Sequence, residues 1–111
     1  MSVKISMEDD VAVVSVKGNL MGDTKTDTCH LKIKKLLEQG HKKIVVDLSH
    51  VKWMNSKGLG MLMACLTSAK NADSILKVGN ASKKVKSLFI ITKLNTIFES
   101  YESVDQAVAS F

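Results

Sequence analysis

One stretch constrains the fold more than any other: residues 44–66, IVVDLSHVKWMNSKGLGMLMACL. It opens as an apolar, β-branched run, the pattern of a strand buried on both faces. A short polar link follows. Asn55 and Ser56 then stand directly before a helix-forming apolar segment from about residue 57 to 70. Both are strong N-cap residues, because their side-chain oxygens accept bonds from helix N–H groups that lack a partner. The Ser56 hydroxyl therefore falls at the positive end of a helix dipole, a place that favours an anion such as a phosphate on Ser56 itself.

The rest of the chain supplies alternating elements. Residues 3–7 alternate apolar and polar as a half-buried strand does, Glu8-Asp9-Asp10 turns, and residues 11–16 return as a second strand, making a hairpin. Gly18 to Asp23 form a loop, and Asp23 or Thr24 caps a helix whose apolar stripe is Cys29, Ile33, Leu36 and Leu37, ended by Gly40. After the 44–66 stretch come a short strand at 75–78, a helix capped by Ser82, a last short strand at 96–98, and a final helix opened by the capping box Ser103 to Gln106. The alternation predicts an α/β fold: a mixed, mostly parallel sheet of about five strands with four helices packed against it.

The helix after Ser56 is apolar nearly all round. Leu59, Leu62, Met63 and Leu66 form one side, and Met61, Ala64 and Cys65 extend the other. Such a helix is either buried or awaits a partner. Met61, Met63 and Leu66 read as core. A two-layer domain covers one face of each helix, however, so at least one side is a candidate for partner contact, for which methionine provides adaptable surface.

Composition narrows the function. At 111 residues one domain, 1–111, is expected, with no signal-peptide core and no apolar run of membrane-spanning length, which places the chain in the cytoplasm. The net charge is +5, but all 16 basic residues are lysines. Without the bidentate fork of arginine, and with few aromatics for stacking, direct nucleic-acid binding is not expected and a solvated basic surface is. Cys29 and Cys65 fall within predicted helices and read as reduced structural thiols. His30, His41 and His50 lack metal-ligand spacing, Gly58-Leu59-Gly60 lacks a phosphate-loop pattern, and no nucleophile–base–acid arrangement points to catalysis. Neither enzyme activity, cofactor nor metal is expected.

Residues 44–60 closely resemble the STAS signature of anti-sigma factor antagonists: an apolar strand, an Asp-Leu-Ser turn, an apolar–aromatic pair, then Asp-Ser-Ser-Gly-Leu-Gly. The likeness runs on through Lys17-Gly18-Asn19-Leu20, through 82–89, and through Phe98, Ser103 and Ala107. The resemblance implies a non-catalytic, stand-alone partner-switching protein. Its unphosphorylated form would bind an anti-sigma factor that is also a GHKL-type Ser/Thr kinase, and so release a sigma factor to regulate transcription. The kinase would phosphorylate the residue matching Ser56, and a PP2C-type phosphatase would reverse it. The partner surface implied comprises Met21, Asp23, Trp53, Asn55, Ser56, Lys57, Leu59, Gly60 and Met61, on a monomer or weak dimer without membrane insertion.

This chain departs from the pattern at three places. Asn55 replaces the usual Asp, Lys57 replaces a frequent second Ser or Thr, and Met21 stands where many members carry Asp, with Asp23 two residues on. Other readings stay open beside the switch. Ser56 as a plain helix cap, Trp53 packed beneath its loop and Asp47 tying down a turn are the local ones. A constitutive STAS scaffold in a signalling or lipid-transport complex, and a small nucleotide-binding domain, are the global ones.

Overall fold

The computed structural model describes residues 2–111. The opening hairpin is β1 (Ser2–Glu8) and β2 (Val11–Lys17), joined by Asp9 and Asp10 with Asp9 in the left-handed region at φ 56°. Then follow α1 (Thr24–Glu38), β3 (Lys43–His50), α2 (Ser56–Asn71), β4 (Ile75–Gly79), α3 (Lys83–Ile91), a 3-10 turn (Leu94–Thr96), β5 (Glu99–Tyr101) and α4 (Val104–Ala109). The sheet runs β1-β2-β3-β4-β5, with β1 antiparallel to β2 and every other neighbouring pair parallel. That is the mixed, mostly parallel five-stranded sheet with four helices expected from the alternation of elements.

Two clusters of unequal size hold the layers together. The larger lies between the sheet and helices α1, α2 and α3. It unites Val14, Val46 and Val78 from the strands with Cys29, Ile33, Leu62, Cys65, Val85 and Phe89 from the helices. The smaller packs Ala107 of α4 against Val11, Val13 and Val45 on the opposite face. β3 feeds both clusters, which is why it reads as an unbroken apolar run. Lys77 on β4 is buried beneath α4. Its ammonium donates to Ser110 Oγ at 2.7 Å, pairs with Glu99 at 3.3 Å, and lies 4.3 Å from the centre of the Phe111 ring. This polar clamp fastens the chain's C-terminal end to the sheet.

The helix ends follow the local chemistry. Gly40, at φ 90°, lets its own N–H reach the Leu37 carbonyl and the His41 N–H reach that of Leu36, a Schellman closure of α1. α2 ends in the same way on Asp73, with Ser74 N–H donating to Ala69 O. The last strand departs from expectation. It occupies Glu99–Tyr101 instead of 96–98. Phe98 is drawn into the core, where it stacks on Phe89 with ring centres 5.6 Å apart, so pairing with β4 passes to the polar residues that follow.

Candidate functional site

The parallel strands β2 and β3 end side by side, and the loops leaving them build one surface. An isolated parallel bridge joins Leu20 to Met54, with Leu20 N–H donating to Trp53 O and Asn55 N–H donating to Leu20 O. Asn19 Oδ1 accepts from Trp53 N–H at 3.1 Å. Asn55 then does two jobs. Its Oδ1 accepts from Gly58 N–H at 3.0 Å, capping α2, and its Nδ2 donates to Met21 O at 2.9 Å, holding the neighbouring loop. An aspartate here would cap the helix equally well but would have no proton for the Met21 carbonyl.

On this frame Ser56 is the first residue of α2 and is exposed. The cap belongs to Asn55, so the Ser56 hydroxyl is not needed to start the helix. A phosphate on it would sit in the first turn of a 16-residue helix, where the macrodipole favours negative charge. Lys57, also exposed, lies against Gly22; a Cβ on Gly22 would come within 2.6 Å of Lys57 Cβ. Asp23 is exposed at the start of α1, and its Oδ1 accepts from Thr26 N–H at 3.3 Å, the capping contact expected of it.

Of the other residues expected on this surface, Met21 and Trp53 are each 42% exposed, and Gly60 is exposed. Trp53 therefore does not pack beneath its loop; its neighbour Met54 does, fully buried. Leu59 and Met61 contribute no exposed side chain, being only 8% and 7% accessible. Both belong to the main core, and α1 packs across α2, so the second apolar side of α2 meets a helix of the same chain. Met61 Sδ lies 3.5 Å from Cys65 Sγ inside that contact. Burial pushes the Cys29 thiol up to about 11 and the Cys65 thiol to about 12. Beyond its polar residues, α2 leaves on the outside Gly60 and the half-buried Met63 and Ala64.

The structure also adds residues. Trp53 lines a groove of about 310 Å³ with Lys83, Lys84, Ser87, Leu88 and Ile91 of α3. Ile90 and Ile91 are 62% and 77% exposed. A signal existed in the run Leu88-Phe89-Ile90-Ile91, two apolar residues more than one helical face requires. The four lysines 52, 57, 83 and 84 are all exposed. Asp47 ties down the end of β3, accepting from Ser49 N–H at 2.9 Å and from Ser15 Oγ at 3.3 Å. Among the described residues no cluster of three or more His, Cys, Asp and Glu side chains is arranged to hold a metal ion, and no helix is long and apolar enough to cross a membrane.

Residues 3–99 match the family model described as "Mlab, STAS domain". The chain belongs to the STAS domain family. The STAS fold recurs in solved structures of low identity. An anti-sigma factor antagonist from Mycobacterium paratuberculosis has a TM-score of 0.85 at 24% identity, over 98% of this chain and 92% of that one. An anti-sigma-factor antagonist (STAS) domain protein from Planctomyces limnophilus gives 0.83 at 14%, over 97% and 96%. The Bacillus cell fate determinant SpoIIAA in its phosphorylated form gives 0.76 at 16%, over 98% of both chains.

Proposed function

We propose that this chain is a single-domain anti-sigma factor antagonist, acting in the cytoplasm, whose partner binding is controlled by phosphate on Ser56. In the unphosphorylated state its surface at the ends of β2 and β3 binds an anti-sigma factor that doubles as a GHKL-type Ser/Thr kinase, which frees a sigma factor for transcription. A PP2C-type phosphatase resets the protein. It catalyses no reaction itself. The observation that carries the reading is the exposed Ser56 hydroxyl, relieved of capping duty by Asn55, beside linked loops that also expose Trp53 and Met21.

The switch follows from charge. A phosphoserine adds roughly −1.5 to −2 charges. At a helix start that charge is tolerated by the fold, but in a docked interface it must be stripped of water with no acceptor waiting, and each ~1.4 kcal/mol so lost is tenfold in affinity. SpoIIAA keeps a similar TM-score to this chain in its unphosphorylated form, 0.75, and its phosphorylated form, 0.76, so that fold is compatible with both states.

The test is a mass spectrum of the protein purified from its own cells, unstressed and stressed, with fragments mapped around Ser56. A phosphate at Ser56 whose fraction changes with stress, and whose bearer no longer co-purifies with a partner, supports the switch. A second reading, a constitutive scaffold in a signalling or lipid-transport complex, is favoured by Lys57 and by the Asn55 hydrogen bond to Met21 O. It replaces the first if Ser56 stays unmodified while a partner remains bound.

A further inference from the structure

We propose that a second copy of this chain docks on the free edge of β1, extending the sheet across a two-fold axis. The two sheet edges differ. β5 is three residues long, whereas β1 runs for seven, and among the described residues its outer side has no neighbouring strand. A two-residue turn closes on a hydrogen-bonded Glu8–Val11 pair, so alternation directs the backbone groups of Ser6 and Lys4 towards β2 and those of Met7, Ile5 and Val3 outward. Lys32 Nζ donates to Val3 O at 3.1 Å, which occupies the outward carbonyl nearest the start of the strand. Ile5 and Met7 are left to offer backbone groups, and both side chains are exposed, at 40% and 49%. With Leu36 and Lys35 of α1 they line a groove of about 460 Å³.

The pattern along β1 selects a second copy as occupant. In an antiparallel pair centred on Ser6, Ile5 of each chain hydrogen-bonds with Met7 of the other, so the two free positions satisfy each other. Val3, whose carbonyl is already taken, falls outside the bonded pairs. In the same register Lys4 of each chain stands opposite Glu8 of the other in a non-hydrogen-bonded pair, where side chains approach more closely. Both are exposed and lie on the opposite face from Ile5 and Met7. Centring the pair on Ile5 instead would set Lys4 against Ser6 and require the occupied Val3 carbonyl. One register therefore matches backbone, apolar and charged groups together, and it is self-complementary, as a closed two-fold interface must be. The Ser56 surface takes no part in it.

Sedimentation equilibrium of the full chain over a concentration series tests the proposal. The wild type should move from the chain mass towards twice that mass as concentration rises. Lys4→Glu sets like charges opposite each other twice and should weaken the dimer by roughly tenfold. The double variant Lys4→Glu/Glu8→Lys should restore it, with circular dichroism showing all three folded. A wild type that stays monomeric up to roughly 1 mM overturns the proposal. So does a dimer indifferent to Lys4→Glu, or one that the double variant fails to restore.

Discussion

Two glycines two residues apart in α2 have opposite duties. A Cβ on Gly58 would overlap the Leu20 carbonyl, the same carbonyl that accepts from Asn55 N–H. Gly58→Ala should therefore push the two loops apart and cost about 1–3 kcal/mol in urea unfolding. A Cβ on Gly60 meets nothing within 4 Å, and Gly60 lies inside a helix. Gly60→Ala should raise stability by about 0.5–1 kcal/mol, and if a partner approaches closely there it should weaken binding at the same time. The capping power of Asn55 and the placing of Ser56 at a helix start were legible in the sequence, because both depend on neighbours three or four residues away. The Gly58–Leu20 approach was not: it joins a helix start to a loop 38 positions away, and no periodicity announces it.

At the scale of elements, α2 shows how far an apolar pattern can be read. Its two-sided character was visible, but whether its second side faces a partner or another helix depends on where α1 lies, which is a tertiary fact. With α1 in place, Cys29 and Cys65 are fully buried, and their thiols are held above the ordinary value near 9. The unfolded chain releases these protons near pH 9, while the folded chain holds them to about 11 and 12. Between those values the unfolded state binds fewer protons, so stability falls as pH rises. The midpoint of thermal unfolding should drop from about pH 9 upward, and Cys65→Ala should flatten that slope while lowering stability at neutral pH. A thiol reagent at pH 8 should label neither cysteine until denaturant is added. The strand at Glu99–Tyr101 was illegible for a related reason: the apolar Phe98 that marks the segment serves the core, not the ladder.

For the molecule as a whole, the proposed switch requires that a single phosphate on Ser56 alter binding without altering the fold. The chain carries +5, and phosphorylation leaves it near +3, still far enough from neutrality that colloidal behaviour should change little. Inside the domain, the new charge sits at the start of α2, with the exposed Lys57 next in sequence. The dipole contribution there is favourable by about 0.3–1 kcal/mol, so the phosphorylated form should melt no lower than the unmodified one. The loops beneath are tied by backbone bonds and by both ends of the Asn55 amide, none of which a phosphate on Ser56 displaces. Amide chemical-shift changes on phosphorylation should accordingly be confined to residues 19–24 and 52–60, leaving β4 and α4 unmoved. Partner affinity should nevertheless fall steeply, because the charge joins a surface that also exposes Met21 and Trp53 and whose exposed lysines suit an acidic partner. Shifts spreading into Val46, Val78 and Ala107 would mean that the phosphate acts by repacking the sheet, and blocking the interface would no longer account for the switch.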